Sequence, residues 1–204
     1  VVGRRVEVEH VQALLEQLDE GDEEFALQAV LVEVAGRPVG RGDDDDAALA
    51  VAVLLEDGFE GWRKFLPPPA RRALLLCDPS YEIKSDYGKV LDLAAEGLKR
   101  FPTGTYAVWY PIIPRPEAHD LPRRLKTMAQ KAGKSWLHAT LTVKSSKITT
   151  SATGEEKRPG LPASGMFLIN PPHTLKAALA LALPQLVERL GQDRHATFTL
   201  ESGG

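Results

Sequence analysis

Apolar residues gather in short runs along the chain, and the length of these runs predicts strands rather than long helices. The runs occupy residues 26–36, 49–56, 73–77, 105–113, 136–143, 165–170 and 195–200. Most of them are continuously apolar, which is typical of strands buried on both faces of a sheet. The run 26–36 also fits a short buried helix, because periodicity does not separate the two at this length.

Helical spacing of apolar residues fills the intervals between several of these runs. Helices are predicted at residues 10–19, 59–66, 86–99, 120–133 and 174–190, and Ser85 or Asp86 could cap the third of them. Three consecutive prolines at 67–69 end the second helix, and Pro184 is expected to kink the last one. The polar stretches 36–46 and 145–164 are predicted as loops, the second of them mobile.

The alternation of buried strands with amphipathic helices predicts an α/β fold. The expected sheet is mostly parallel, is covered by helices on both faces and has an antiparallel edge. In such sheets ligands bind outside the carboxyl ends of the strands. Residues 57–58 follow the apolar run 49–56, and residues 78–81 follow the run 73–77. Both groups are therefore expected on the same rim of the sheet.

Composition excludes several classes of protein. The 204 residues carry a net charge of −3, so no overall basic field indicates nucleic acid, and any RNA contact must come from a local patch. The single cysteine, Cys77, excludes an internal disulfide framework and fits a reducing compartment, so a cytoplasmic location is expected. No apolar run reaches the roughly 18–20 residues of a membrane span. The histidines show no ligand spacing with Cys77, so no metal is expected, and we expect a monomer.

The segment Asp78-Pro79-Ser80-Tyr81 combines the groups that methylation of an exocyclic amine requires. A carboxylate and a backbone carbonyl fixed by proline can accept the two amino protons, and an aromatic ring can stack on the base. Asp78, the Pro79 carbonyl and Tyr81 supply these three parts. The alternative is an ordinary strand-to-loop turn, because acid-Pro-Ser is common turn chemistry. The similar segment at 170–173, Asn-Pro-Pro-His, is interpreted as a strand-to-helix turn, with Thr174 as a possible helix cap.

The longer pattern resembles a known family. "DPSYEIKSDY", followed by "RFPTGTYAVWYP" and later by "SGMFLINPP", is similar to the bacterial 23S ribosomal RNA adenine-N6 methyltransferases, from about Asp57 to the end of the chain. That resemblance implies a Rossmann-like class I methyltransferase fold and S-adenosylmethionine as methyl donor. It also implies that Asp78 is the catalytic acceptor, that Tyr81 stacks on the base, and that Asp57 and Gly58 contact the donor. The family has a second proline where this chain has Ser80.

The front of the chain departs from the family. The family begins with a strand and an Asp-x-x-x-Gly-x-Gly loop that cradles the methionine part of the donor, and residues 34–46 do not reproduce this loop. We therefore expect residues 1–48 to be a divergent N-terminal part with an acidic loop, and residues 49–204 to be the C-terminal portion of a methyltransferase domain. The chain would then be a truncated or divergent member, lacking the N-terminal donor-binding strand and the Gly-rich loop.

The resemblance implies transfer of a methyl group from S-adenosylmethionine to N6 of an adenine in 23S ribosomal RNA that is protein-free or partly assembled. Two alternatives stay open: an amine methyltransferase acting on DNA or protein, and a non-catalytic relic or RNA-binding module that has lost donor binding. Several cations on and after the predicted helix 120–133 are either phosphate contacts or a solvated helix face, the second being the simpler interpretation. They are Arg123, Arg124, Lys126, Lys131 and Lys134.

Overall fold

The computed structural model describes residues 30–33, 57–69, 71–147, 149–150, 156–157 and 160–204. The helix predicted at 10–19, the loop 36–46 and the strand predicted at 49–56 lie outside these residues. Within them, no helix is long and apolar enough to cross a bilayer.

Strands and helices fill most of the described part of the chain. The strands are β1 (Val30–Glu33), β2 (Leu74–Cys77), β3 (Thr105–Ile112), β4 (Trp136–Thr142), β5 (Thr149–Thr150), β6 (Glu156–Lys157), β7 (Ala163–Ile169) and β8 (Thr197–Gly203). The helices are α1 (Gly58–Gly61), which continues into a 3-10 turn (Trp62–Lys64), α2 (Ser85–Arg100), α3 (Pro116–Lys131) and α4 (Leu175–Leu190).

Six strands form one mixed sheet in the order β1-β2-β3-β7-β4-β8. Only β2 and β3 are parallel neighbours among the described strands, and the four other pairs are antiparallel. The prediction of a mostly parallel sheet is therefore wrong for the described residues. Three strands run opposite to β2: β7, which enters between β3 and β4, and the edge strands β1 and β8. A continuously apolar strand indicates burial on both faces but carries no information on its direction.

Helices cover both faces of the sheet and bury separate cores. On one face α2 and α3 pack Val90, Leu121 and Leu125 against Tyr106 and Val108 of β3. On the other face α4 packs with Leu183 against the core of Ala107, Leu137 and Leu168. Successive residues of β3 thus serve opposite cores, as the alternation of side chains along a strand requires.

Several predicted element boundaries differ from the structure. Helix α3 begins at Pro116, four residues before the predicted start, because Pro116 occupies the first helical turn, where its missing N–H costs nothing. The loop predicted at 145–164 contains the two short strands β5 and β6, which pair with each other. Helix α4 ends at Leu190, as predicted, and contains Pro184, where the expected kink stays a prediction. Thr174 precedes the helix but makes no side-chain capping bond.

Candidate functional site

Strand β2 delivers the candidate site to the rim of the sheet. It is bordered by β1 and β3 and ends at Cys77, after which Asp78 and Pro79 leave the sheet. Proline cannot donate to a strand ladder, so the chain turns away here and reaches α2 at Ser85. Cys77 is 2% exposed, and burial raises the pKa of its thiol to about 12. The prediction that Cys77 is a buried strand residue is confirmed.

Asp78 stands at the carboxyl end of β2 with its side chain exposed, while Pro79 behind it is buried. Desolvation by the surrounding protein nonetheless raises the pKa of the Asp78 carboxyl above its ordinary value of 3.8. This carboxylate can accept a hydrogen bond from a ligand, and its raised pKa makes it more basic than an ordinary surface aspartate.

The Tyr81 side chain is buried in the described arrangement, with 2% of the residue exposed. Its hydroxyl donates to the Trp109 carbonyl at 2.6 Å, and its ring lies 4.7 Å from the Tyr87 ring, centroid to centroid. Burial raises the pKa of the hydroxyl well above the usual range, so the group stays a neutral donor. Tyr81 therefore fills a slot between β3 and α2 and presents no open ring face.

Arg115 holds the same loop from the other side, and sequence reasoning missed it. Its Nη1 donates to the Tyr81 carbonyl at 2.8 Å and to the Glu82 carbonyl at 3.4 Å. Tyr81 has φ of 57°, a left-handed conformation that costs about 1–3 kcal/mol for a residue other than glycine. Arg115 directly precedes α3, and so follows β3 as Asp78 follows β2. The shared rim of two parallel strands was the signal that could have found it.

Asp57 and Gly58 begin α1. The Asp57 side chain accepts a hydrogen bond from the Phe59 N–H at 2.8 Å, so it caps the helix, and Gly58 is buried. The Lys89 ammonium lies 5.2 Å from the centre of the Phe59 ring, which places α1 beside the first turns of α2. The strand predicted before Asp57 lies outside the described residues, so a common rim for Asp57 and Asp78 stays a prediction.

Asp86 is a buried carboxylate behind the loop. It was predicted as a possible cap of α2, but Lys84 occupies that position and Asp86 lies inside the first turn, 1% exposed. Neither of its oxygens has a hydrogen-bond partner in the described part of the chain, and the nearest cation is Lys89 Nζ, 3.7 Å from Oδ1. The positive end of the α2 dipole favours a negative charge at this position.

The segment 170–173 lies at the opposite rim from Asp78. Because β7 runs antiparallel to β3, its end at Ile169 pairs with Tyr106 near the start of β3. The Asn170 amide donates to the carbonyls of Pro102 and Gly104 at 3.0 and 2.9 Å. The interpretation of 170–173 as a strand-to-helix turn is confirmed. Of the two similar segments, only 78–81 lies at the rim formed by the carboxyl ends of β2 and β3. Among the described residues, no cluster of three or more His, Cys, Asp and Glu side chains could hold a metal ion.

Comparison with known proteins agrees with the resemblance read from the sequence. Residues 44–201 match the family described as ribosomal RNA large subunit methyltransferase D, RlmJ. The chain is 37% identical to the ribosomal RNA large subunit methyltransferase J of Haemophilus influenzae over 151 residues, 74% of this chain and 50% of that protein. It is 40% identical to the protein of the same name from Escherichia coli K12 over 168 residues, 82% of this chain and 55% of that protein.

A solved structure shares the fold. The crystal structure of protein LPL1258 from Legionella pneumophila superposes with a TM-score of 0.60 at 28% identity, covering 73% of this chain and 50% of that one. The chain spans about half the length of the curated relatives that it matches. Because the family match covers most of the chain, and two relatives of that family are 37% and 40% identical to it, the chain belongs to the RlmJ family of ribosomal RNA large subunit methyltransferases.

Proposed function

We propose that the chain transfers a methyl group from S-adenosylmethionine to N6 of an adenine in 23S ribosomal RNA. The observation that carries the proposal is the Asp78 carboxylate, exposed and with a raised pKa at the carboxyl end of β2, followed at once by the buried Pro79. Family membership supports the reaction class. The substrate would be protein-free or partly assembled RNA, met by a monomer in the cytoplasm.

Asp78 and Pro79 would act on the amine directly. The Asp78 carboxylate accepts a hydrogen bond from one N6–H group and the Pro79 carbonyl accepts one from the other. The lone pair of N6 is then less delocalised into the ring, so the nitrogen becomes a better nucleophile. When bound, S-adenosylmethionine supplies a methyl group on a sulfonium leaving group. The bond from the methyl carbon to sulfur would break as the bond to N6 forms, so that S-adenosylhomocysteine leaves as a neutral thioether and N6 becomes positively charged. The adjacent Asp78 carboxylate would stabilise that charge and take the proton that N6 loses.

Stacking of Tyr81 on the base stays part of the proposal and adds a requirement. The ring has to expose one face when RNA binds, which breaks its 2.6 Å bond to the Trp109 carbonyl. A neutral hydrogen bond contributes about 0.5–1.5 kcal/mol, and stacking of a base on an aromatic ring about 1–3 kcal/mol. Stacking can therefore offset the lost hydrogen bond, and the base must also replace the packing that now leaves 2% of Tyr81 exposed.

Asp57 and Gly58 are proposed to hold the adenine end of the methyl donor. The cap bond to Phe59 uses Oδ1 of Asp57, and the side chain is exposed, so Oδ2 can accept from an amino group. Gly58 adds no side chain that would block a ligand. These residues fit one end of the donor. We further propose that the described sheet is the C-terminal portion of a Rossmann-like class I methyltransferase sheet that lacks the N-terminal donor-binding strand and Gly-rich loop, and that 1–48 is a divergent part of the same domain.

The test is methylation of unmodified 23S ribosomal RNA with labelled donor. Asp78→Asn keeps the size of the side chain and removes the carboxylate, and should slow transfer by about 100-fold or more, the range for loss of an acid–base group. Two controls should keep the parent rate: Asp92→Asn, which removes an exposed carboxylate of α2, and Ser80→Pro, which restores the family motif. Equal rates for Asp78→Asn and the parent would contradict the mechanism.

Substrate and donor measurements separate the alternatives. Methylation of DNA or protein in preference to ribosomal RNA would assign another amine as the acceptor. No calorimetric binding of S-adenosylmethionine at millimolar concentration, with RNA binding retained, would make the chain an RNA-binding module.

A further inference from the structure

A groove between α2 and α3 carries a concentration of positive charge that the proposed chemistry does not use. We call it the α2–α3 groove; it encloses about 640 Å3. Its floor includes Leu98 and Met128. Its polar lining is dominated by four cations: Lys99 from α2 and Arg123, Arg124 and Lys131 from α3.

The cations of the groove are poorly neutralised by the protein itself. No carboxylate lines this part of the groove. Arg123 pairs with Asp120, whereas Lys99, Arg124 and Lys131 make no ion pair in the described part of the chain. By contrast, Arg63 and Arg100 both pair with Glu96 of α2, and Arg63 pairs with Glu60 as well. Since the whole chain has a net charge of −3, the excess positive charge here is local.

The groove runs towards the start of α2, which follows the loop that carries the candidate amine site. A second stretch of about 340 Å3 continues it towards the start of both helices, and Arg124 lines both stretches. Tyr87 lines the second stretch and its ring is 4.7 Å from that of Tyr81. The two acids in this stretch, Glu117 and Asp120, are paired with Lys84 and Arg123. The unpaired positive charge therefore lies at the end of the groove away from Asp78.

We propose that the sugar–phosphate backbone of the substrate RNA, several nucleotides from the target adenine, lies in the α2–α3 groove. This rests on the proposed function, which brings RNA to Asp78. Arg124 and Lys131 are seven residues apart, about two helical turns on one face of α3, and Lys99 faces them from α2. Long exposed cations above an apolar floor bind phosphates without selecting a base, so the contact positions the RNA while the amine site selects the nucleotide.

The test is RNA binding of a triple variant, Lys99→Gln, Arg124→Gln and Lys131→Gln. All three side chains are exposed, so thermal unfolding should match the parent. The probe is a labelled transcript of unmodified 23S ribosomal RNA, titrated at several salt concentrations. The plot of log affinity against log salt has a negative slope, and its magnitude should decrease by about two, at roughly 0.7 for each lost contact to single-stranded RNA. The matched control is Lys176→Gln with Arg189→Gln, two exposed cations on α4 at the opposite face of the sheet.

The outcomes separate this proposal from the proposed function. The proposal that RNA lies in the α2–α3 groove would be overturned if the triple variant bound RNA with the affinity and salt slope of the parent. It would also be overturned if the α4 control lost as much affinity, or if polyglutamate at the same charge competed with RNA equally well. Methylation by the parent would stand in each case. Conversely, a smaller slope in the triple variant together with a parent that binds RNA but transfers no methyl group would support the groove and overturn the proposed reaction.

Discussion

Replacing Arg115 with alanine tests how the loop that carries Asp78 is held in place. The guanidinium donates to the Tyr81 carbonyl at 2.8 Å, and Tyr81 is in the left-handed region with φ of 57°. A hydrogen bond from a charged donor contributes about 1.5–3 kcal/mol, while the left-handed conformation costs about 1–3 kcal/mol. The two are of similar size, so the bond offsets most of the strain.

After truncation of Arg115, the Tyr81 side chain is still held by its burial in the core and by the bond from its hydroxyl to the Trp109 carbonyl. The Tyr81 carbonyl, however, loses its charged donor, so the strain of the left-handed backbone is no longer offset, and we expect the loop backbone to relax and the Asp78 carboxylate to shift. Arg115→Ala should lower the free energy of unfolding by about 1 kcal/mol, less than the bond itself contributes, because relaxation releases part of the strain. It should also slow single-turnover methyl transfer, by as much as about 100-fold if the carboxylate moves by an ångström.

Urea denaturation followed by circular dichroism gives the first quantity, and a single-turnover assay with labelled donor gives the second. Arg115→Lys keeps a charged donor but loses the planar fork, and should fall between the parent and alanine. Arg189→Ala, at an exposed arginine of α4, is the control. If Arg115→Ala unfolds at the same urea concentration as the parent and transfers methyl groups equally fast, the account of the loop is refuted.

Three further predictions follow from burial and packing. Because the folded protein raises the pKa of Asp78, the methyl-transfer rate should begin to fall, as the pH decreases, at a pH above 3.8, the ordinary pKa of an aspartate; a pH–rate profile checks this. Asp78→Asn should be more stable than the parent at neutral pH, because burial disfavours the charged carboxylate of the parent; denaturation curves check this. Cys77, with a pKa of about 12, should resist a thiol reagent until the protein is denatured. Gly165→Ala places a methyl group against the Tyr110 ring and should cost about 1–3 kcal/mol of unfolding free energy, whereas Gly88→Ala, with open space around it in α2, should stabilise the protein.

The apolar pattern predicted most elements of the described part of the chain. Helix α2 and strands β3 and β4 were placed within one or two residues, because their periodicity or their continuous apolar run is strong and local. Helix α3 begins four residues before its predicted start, because Pro116 occupies the first turn, where proline does not interrupt a helix. Strand direction was missed because the position of β7 depends on pairing between residues more than 50 positions apart, such as Val108 and Phe167.

The candidate site divides in the same way. The segment 78–81 at the end of a buried strand could be predicted, because it is a local signal in the sequence. The burial of Tyr81 and the part played by Arg115 could not, since their hydrogen bonds join residues 28 and 34 positions apart. The absence of hydrogen-bond partners for the Asp86 carboxylate in the described residues also depends on packing, so the sequence suggested only a helix cap.

The place of β7 in the sheet has a consequence for synthesis of the protein. On the ribosome, β3, α3 and β4 emerge before β7, yet β7 lies between β3 and β4 and pairs along its whole length with both. A nascent chain that ends before Ala163 therefore holds two strands whose facing edges are unpaired, and such edges invite pairing with another chain. The sheet is complete only when the last quarter of the chain has emerged. Folding of the rim that carries Asp78 and Arg115 is therefore coupled to β7, which is made after both of the strands that it joins.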